Sequence, residues 1–425
     1  MATSRVVTSS ITPQSIVYGL RSAGSPAIAP DGSRIVYSLN EADASTGKST
    51  SQLWLIDPDG SNAAQLTASG TTNSGAVWSP DGARIAYVSK RDGDKPHAIC
   101  VIAPDGGEAV EVIRHRAAPA TLAWSPDGQQ LAYTLLVDPE NPEETPDDPE
   151  AAPKVRAFRR ADFKQDNRGY LYDSRLQVML VNTADGSSRQ LTTELVDYLE
   201  PQWSPDGRSI AVKVLNRNGM HHQLGVIDVE TSAQTLVGTE DWTVGTWRWS
   251  SDGSFILFDG DERNSAQTDY FRFDVADGAL TRLTTDLAFS PQVGYATLGV
   301  AAQPVWLDDT TALVHGVQAG ASGLWTVDAR DGTLAEIARF EATHSGLSVD
   351  AGRRFVVQSR STPQSFGEIS VFNLESGESQ VITHLNDEFF AQTPAGGSEK
   401  LTIDRDGEPI DLWVTYPPDF DATKT

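Results

Sequence analysis

A short pattern of apolar and turn-forming residues recurs along most of the chain. The segment Trp78–Gly82 (WSPDG) is followed by the apolar run Ile85–Tyr87, and the same order returns at Trp124 and Trp203. Weaker copies bring the total to seven, marked by Asp31, Asp81, Asp127, Asp206, Asp252, Asp309 and Asp350. Apart from one gap of 79 residues, these aspartates are spaced by 41 to 57 residues.

Each copy predicts four short β-strands. After the apolar run comes a second half, such as Leu53–Ile56, a Pro-Asp-Gly turn and Gln65–Thr67. Proline presets φ and glycine accepts a positive φ, so the strands are joined by tight turns. Four strands in about 40–50 residues is the period of a β-propeller. We therefore predict an all-β fold, a seven-bladed β-propeller of four-stranded antiparallel blades over residues 25–384.

The ends of this repeat predict how the ring closes. The first blade begins with its innermost strand near Ser25, and the seventh ends with its outermost strand near Thr383. No strand from one end is needed to complete a blade at the other, so we predict an unlatched ring. The repeated aspartates are interpreted as turn residues that cap backbone amides rather than as metal ligands.

Two terminal segments lie outside the repeat. In residues 1–24, Thr12 followed by Pro13 is typical of a helix start, and Ile16, Val17 and Leu20 give the short helix an apolar stripe. Residues 385–425 contain a β-hairpin that turns at Asp406–Gly407. This hairpin fits no blade, so we interpret the segment as a linker and the start of another domain.

An insertion in blade three, about residues 138–172, explains the long gap. Its first part, residues 138–150, holds seven acids, four prolines and no base, which is typical of an exposed loop. The second part is basic and aromatic, and our candidate substrate-binding residues are Arg156, Arg159, Arg160, Arg168 and Tyr170. Arginine can bind a carboxylate with two parallel hydrogen bonds. The alternative is that these arginines pair only with the neighbouring acids.

Charge and composition exclude several classes of partner. The chain of 425 residues has 33 basic and 58 acidic residues, a formal charge of −25. This balance disfavours nucleic acid and membrane surfaces as partners. The single cysteine, Cys100, has no partner for an intrachain disulfide. Without a signal-peptide pattern or a long apolar run, we expect a cytoplasmic protein.

The sequence offers no self-sufficient active site. It has no G-x-S-x-G nucleophile elbow, no HExxH pattern, no Walker loop and no dinucleotide fingerprint. His221 and His222 are assigned to a blade loop, and Cys100 to a buried, inert position on a strand. We expect no cofactor and no metal, and assign no catalytic residue.

The repeat, the insertion and the terminal hairpin together resemble the propeller half of the prolyl-oligopeptidase family of serine peptidases, most closely its acylaminoacyl-peptidase-like branch. The more specific segments are Arg160–Tyr170 (RADFKQDNRGY) and Asp406–Trp413 (DGEPIDLW), which leads into Pro417–Phe420. The resemblance implies that an α/β-hydrolase domain with a Ser-Asp-His triad follows, and that the N-terminal helix packs on it. The sequence stops at Thr425 before any triad residue, so we expect this chain alone to be inactive.

The function implied by this resemblance is that of a non-catalytic propeller that gates a serine peptidase and screens small peptides. Its partners would be the catalytic domain, missing from this chain or separate, small peptides, and a second copy of the chain in a homo-oligomer. Arg156, Arg159 and Arg160 would receive the terminal carboxylate of a peptide. The alternative is a TolB-like propeller that serves as a protein-interaction platform, because such propellers share the WSPDG repeat.

Overall fold

The computed structural model is almost entirely β-structure. Its helices are α1 (Pro13–Gly19) and α2 (Asp387–Gln392). The Thr12 side chain accepts a hydrogen bond from the Ser15 amide and caps α1, as the sequence predicts. Among the described residues, no helix is long and apolar enough to cross a membrane. The residues described are 11–142, 163–165, 169–171, 173–216, 221–263, 265, 267–291, 302–417 and 420.

Most strands of the described residues form seven four-stranded antiparallel units, numbered here from the N-terminus. Units one to three are β1 (Ser22–Ile28), β2 (Ile35–Asp43), β3 (Lys48–Ile56) and β4 (Ala64–Gln65); β5 (Thr72–Trp78), β6 (Ile85–Lys90), β7 (His97–Ile102) and β8 (Val110–His115); and β9 (Ala120–Trp124), β10 (Gln130–Val137), β13 (Arg175–Asn182) and β14 (Ser188–Gln190).

The remaining units follow the same order. Units four and five are β15 (Asp197–Trp203), β16 (Ser209–Asn216), β17 (His221–Asp228) and β18 (Gln234–Val237); and β19 (Thr243–Trp249), β20 (Phe255–Asp261), β21 (Asp269–Asp274) and β22 (Leu280–Arg282). Units six and seven are β23 (Val305–Trp306), β24 (Thr311–Gln318), β25 (Ala321–Asp328) and β26 (Leu334–Phe340); and β27 (Thr343–Val349), β28 (Phe355–Thr362), β29 (Ser365–Asn373) and β30 (Ser379–Val381). His221 and His222 therefore begin a strand, so their assignment to a loop was wrong.

Two hairpins stand apart from these units. One is β11 (Lys164–Gln165) with β12 (Gly169–Tyr170), within the connection between β10 and β13. The other is β31 (Ser398–Arg405) with β32 (Glu408–Thr415), joined by Asp406 and Gly407 at φ values of 59° and 89°. Two consecutive positive φ values are typical of a type I′ hairpin turn. The predicted terminal hairpin is confirmed, whereas the predicted domain bounds stay predictions.

The hydrophobic core runs between neighbouring units. Each cluster of buried side chains joins two consecutive units, and one cluster joins Ala23 and Tyr37 of unit one to Val357 and Ile369 of unit seven. The first strands of neighbouring units contact one another from β1 through β5 and β9 to β15, and from β23 through β27 back to β1, so the first strands are the innermost ones. A four-stranded sheet that is apolar on both faces buries them by such radial packing. The predicted all-β propeller is confirmed.

Turn aspartates act as predicted in five of the described units. The Asp81 carboxylate, for example, accepts hydrogen bonds from the Ala83 amide at 3.0 Å and from Ser79 Oγ at 2.5 Å. Asp31, Asp127, Asp206 and Asp252 likewise accept from the amide two residues further along. In unit six, Asp308 caps this turn instead of the predicted Asp309, because its turn is one residue shorter.

Indole hydrogen bonds link consecutive innermost strands. Trp78 donates its Nε1–H to the carbonyl of Ala27 at 2.9 Å, and Trp124 donates to Val77 at 3.1 Å. The same bond recurs from Trp203 to Ala123, from Trp249 to Gln202 and from Trp306 to Trp249. The repeated tryptophans thus bind unit to unit from one to six, besides filling the gaps between blades.

The contact between units seven and one, called the seam here, uses other groups. Asn386, which is buried, accepts a hydrogen bond from the Arg21 amide at 2.9 Å and donates to the carbonyls of Arg21 and Phe366 at 2.8 Å. The Ile28 amide donates to Ser348 Oγ at 3.0 Å. β1 pairs only with β2, and β30 only with β29, within the described residues. These side chains and one backbone hydrogen bond, from the Ala351 amide to the Pro30 carbonyl at 2.9 Å, hold this seam in place of an exchanged strand.

Candidate functional site

Tyr170 is the one predicted substrate-binding residue that lies within the described part of the chain. Arg156, Arg159, Arg160 and Arg168 lie outside the described residues. Tyr170 stands at the end of the β11–β12 hairpin and is 53% exposed. Phe163 stacks on it with ring centroids 6.4 Å apart, and Lys164 Nζ lies 5.6 Å from the Tyr170 centroid. The pair forms an exposed aromatic platform capped by a cation.

The innermost strands share an irregularity that shapes the wall of the central channel. In units one to five and in unit seven, the pairing between the first and second strands shifts register in the middle of the first. At most of these bulges a residue has positive φ, namely Ser25, Gly75, Thr121, Glu200 and Gly346. A bulge redirects a side chain and interrupts regular strand pairing. At this level of the channel wall, polar side chains therefore take the place of the backbone hydrogen bonds between the first and second strands.

Glu200 anchors a polar network on this wall. Gln303 donates a hydrogen bond to Glu200 Oε2 at 3.0 Å and accepts one from the Trp247 amide at 3.0 Å. Lys213 Nζ lies 3.9 Å from Glu200 Oε1 and 5.6 Å from the Trp247 ring centroid. The network thus ties units four, five and six together beside the channel.

Asp259 is a buried carboxyl group next to this network. Its Oδ1 accepts hydrogen bonds from the Thr246 amide at 2.7 Å and from Thr246 Oγ1, whereas Oδ2 has no partner within the described part of the chain. Burial raises the pKa of Asp259, only partly offset by these hydrogen bonds and by Lys213. Gly245 leaves the room that the Asp259 carboxyl group needs, since a Cβ at this position would clash with Asp259 Oδ2.

A layer of ionisable side chains around the ring was not predicted from the sequence. Each second strand has a first apolar residue that pairs with the first strand of the same unit, such as Ile35 in unit one. The third residue after it is Ser38, Val88, Thr134, Lys213, Asp259, His315 and Ser359 in units one to seven, respectively. Ionisable residues occupy this position only in units four, five and six. Aligning the repeats residue by residue would have identified them.

The histidines and the cysteine show no arrangement for nucleophilic catalysis. His315 and His344 are buried, and burial lowers the pKa of each to about 4, which keeps them neutral. Burial also raises the pKa of the Cys100 thiol, in agreement with the predicted inert position. The described residues contain no group of three or more histidines, cysteines or acids that could hold a metal ion.

Two apolar surfaces remain exposed at one end of the molecule. Helix α1 exposes Ile16 and Val17, and the β31–β32 hairpin exposes Ile403, Leu412 and Trp413. Leu412 and Trp413 are neighbours on a strand and point to opposite faces, so the hairpin has apolar side chains on both. The hairpin lies over the β24–β25 turn, where Lys400 Nζ donates to the carbonyl of Ala319 at 3.5 Å.

Comparisons with known proteins were consistent with this architecture. Residues 4–140 match the family described as TolB beta propeller domain. The chain is 24% identical over 413 residues to the uncharacterized peptidase YuxL of Bacillus subtilis, covering 94% of this chain and 63% of that protein. It is 25% identical over 422 residues to dipeptidyl-peptidase 5 of Porphyromonas gingivalis, covering 94% and 59%. The chain thus spans less than two thirds of the length of these curated relatives.

Solved structures share the fold. Pyrococcus horikoshii acylaminoacyl peptidase superposes with a TM-score of 0.70 at 14% identity, over 94% of this chain and 58% of that one. The β-propeller domain of the Trilobed protease from Pyrococcus furiosus superposes with a TM-score of 0.58 at 15% identity, over 88% and 99%. The curated homologues are peptidases, so the predicted relationship to peptidases with a propeller is confirmed.

Proposed function

We propose that this chain is the β-propeller part of a serine peptidase of the prolyl-oligopeptidase type. In that enzyme it would screen small peptides for an α/β-hydrolase domain docked on one end of the ring. The observation that carries this proposal is the β31–β32 hairpin, whose apolar side chains are exposed on both faces. A hairpin of this kind is stable only when further strands or helices cover it.

The position of the hairpin indicates where the catalytic domain would sit. It contacts the β24–β25 turn through Lys400 and the β28–β29 turn through Gln364, which donates to the carbonyl of Gly396 at 3.3 Å. The insertion that carries Tyr170 leaves the ring between β10 and β13, the equivalent connection of unit three. Equivalent connections lie at the same end of a propeller, so Tyr170 would face the docked domain.

Peptide screening follows from this placement. A ring of packed blades excludes folded proteins from a site enclosed beneath it, while a small peptide can enter. The platform of Phe163 and Tyr170 offers apolar contact to a peptide, and Arg156, Arg159, Arg160 and Arg168 would offer guanidinium groups to its terminal carboxylate.

The test uses the peptidase that contains both the propeller and the catalytic domain. Leu412→Ser should lower kcat/KM or release the catalytic domain, because Leu412 is an exposed apolar residue on the hairpin face opposite Trp413, whose indole packs against Gly320 of the ring. Leu195→Ser, at a residue 61% exposed between β14 and β15, is the matched control and should leave kcat/KM unchanged. Equal activity of both variants would contradict docking through the hairpin.

A second candidate function is supported by the match of residues 4–140 to the TolB beta propeller domain. In that case the chain would act as an interaction platform without any hydrolase domain. The reading frame beyond Thr425 separates the two: HGG and G-x-S-x-G motifs support the peptidase, and their absence supports the platform.

A further inference from the structure

The bulges of the first strands form one level of the channel wall. Its residues with positive φ are Ser25, Gly75, Thr121, Glu200 and Gly346, in units one, two, three, four and seven. Four of these residues have a small side chain or none, whereas Glu200 has an ionisable one. The bulge itself therefore needs no glutamate.

Glu200 is also unfavourable for the backbone at this position. Its φ of 55° lies in the left-handed region, where glycine is free of the steric conflict that a Cβ atom causes. Gly75 and Gly346 avoid this conflict at φ values of 65° and 75°. Strained residues of this kind are concentrated at functional sites, which points to a role for the Glu200 side chain.

Open space lies across the channel from Glu200. In a ring of seven units, units seven and one stand opposite unit four. A Cβ atom built on Gly346 of unit seven would have no atom of the described residues within 4 Å, and the same holds for Gly75 of unit two. At this level the channel is therefore bounded by small residues on one side and by Glu200 on the other.

The Glu200 carboxylate keeps the capacity to bind a cation. Its side chain is 20% exposed, and Oε2 accepts a hydrogen bond from Gln303 Nε2 at 3.0 Å. Lys213 Nζ lies 3.9 Å from Oε1, which is beyond hydrogen-bond distance. Lys213 also offsets the charge of Asp259, whose Oδ2 has no partner in the part of the chain that the structure describes. One ammonium group thus serves two carboxyl groups.

The charged residue of the next first strand, Arg248, lies at another level of the channel. Trp203 and Trp249 are equivalent, since each is the last residue of its first strand. Arg248 directly precedes Trp249, whereas Glu200 lies three residues before Trp203. The β31–β32 hairpin contacts turns between second and third strands, at the end of the ring where first strands begin. Glu200 is therefore nearer to the hairpin end than Arg248 is.

We propose that Glu200 determines specificity by binding the cationic side chain of a lysine or arginine in a peptide that lies in the channel. An ammonium or guanidinium group would donate a charge-assisted hydrogen bond to Oε1 and occupy the open space across from it. The formal charge of −25 favours the approach of such peptides. The inference rests on the proposed screening function and names the class of peptide admitted; it concerns a basic side chain, not the terminal carboxylate.

Calorimetric titration of the purified protein tests this binding. The probes are acetyl-Ala-X-Ala-amide peptides in which X is lysine, norleucine or glutamate, so only the central side chain differs in charge. We expect the lysine peptide to bind at least tenfold more tightly than the norleucine peptide, and the glutamate peptide to bind most weakly. Glu200→Gln keeps an acceptor for Gln303 but removes the charge, so it should weaken the lysine peptide about tenfold and leave the norleucine peptide unchanged.

A second variant separates binding from folding. Glu200→Gly inserts the residue that units two and seven carry at this bulge, and it should weaken the lysine peptide equally without lowering the Tm. The matched control is Glu230→Gln, at an exposed turn of unit four outside the channel, which should bind all three peptides as the unchanged protein does.

Equal affinity of the unchanged protein for the lysine and norleucine peptides would overturn the site, and so would an unaltered affinity of Glu200→Gln for the lysine peptide. These titrations need no catalytic domain. Lysine-dependent binding that is lost in Glu200→Gln would therefore support the site even if Leu412→Ser showed that no hydrolase domain docks on the hairpin.

Discussion

His315 and His344 are two neutral histidines buried where units six and seven meet. Both ring nitrogens of His315 and the Nδ1 atom of His344 have no hydrogen-bond partner among the residues that the structure describes. Desolvation lowers the pKa of both to about 4, and for His344 the neighbouring His315 and then Arg360 add to the effect. Protonating either imidazole in the folded state therefore places an uncompensated charge in the core.

We predict a loss of stability in acid that depends on His315. Since the folded-state pKa of about 4 lies below the ordinary value of 6.5, the unfolded chain binds the proton first. The contribution of the neutral histidines to the free energy of unfolding is therefore complete above about pH 6.5. It is lost as the pH falls towards 4, by up to about 1.4 kcal/mol per pH unit for each histidine. Urea unfolding of His315→Leu should show a smaller loss between pH 7 and pH 5.

The control for this prediction is His384→Gln, at an exposed histidine that pairs with Asp387. It should show the same acid dependence as the unchanged protein. If His315→Leu and the unchanged protein lose the same free energy of unfolding over this range, the buried histidine does not cause the acid sensitivity.

The indole bonds between innermost strands give a prediction for a single residue. Trp124→Phe keeps most of the ring but removes the hydrogen bond to Val77 and leaves that carbonyl without its donor. It also weakens the stacking of Arg84, whose guanidinium carbon lies 4.8 Å from the indole centroid. We expect a loss of about 1–2 kcal/mol in the free energy of unfolding. Trp413→Phe, on the exposed hairpin, should change it by less than about 0.5 kcal/mol.

At the scale of elements, the strands and their turns could be predicted because the repeat fixes where each apolar run begins and ends. The bulges could not, since the residues with positive φ are as different as Ser25, Thr121 and Glu200. The layer of ionisable side chains could have been predicted from the sequence, because Lys213, Asp259 and His315 occupy the same position of the repeat.

The terminal hairpin should be dispensable for the stability of the ring. Its strands are exposed almost throughout, and their contacts with the ring include two long hydrogen bonds, from Lys400 and from Gln364. Removing residues 394–425 should therefore shift the Tm by no more than about 2 °C. Removing residues 384–425 also deletes Asn386, whose bonds cross the seam, and should lower the Tm by several degrees more. Equal Tm values for the two truncations would contradict this division of roles.

At the scale of the whole molecule, five of the seven contacts between the described units carry an indole hydrogen bond, and the two contacts of unit seven, with unit six and across the seam, do not. Units one to six are linked by indole hydrogen bonds, whereas the seam uses hydrogen bonds of Asn386, Ser348 and Arg354. Of these, Arg354 donates to the carbonyl of Asp31 at 2.7 Å. The seam still buries an apolar cluster, so it is closed at rest. Asn386 is buried and makes two of the hydrogen bonds that cross the seam, so its substitution should loosen the seam selectively.

Asn386→Ala is expected to make the seam open more often while the rest of the ring stays closed. The substitution removes three hydrogen bonds and leaves the Arg21 amide and two carbonyls unpaired, at a cost of about 2–4 kcal/mol. Local opening free energies set the rate of amide exchange, so hydrogen–deuterium exchange should accelerate in β1 and β29 and remain unchanged in β16 and β20. Asn373→Ala, at a turn of the same unit that does not cross the seam, is the matched control and should leave β1 unaffected. Faster exchange spread evenly over all units would mean that Asn386 stabilises the fold globally and that the seam is not a separate point of opening.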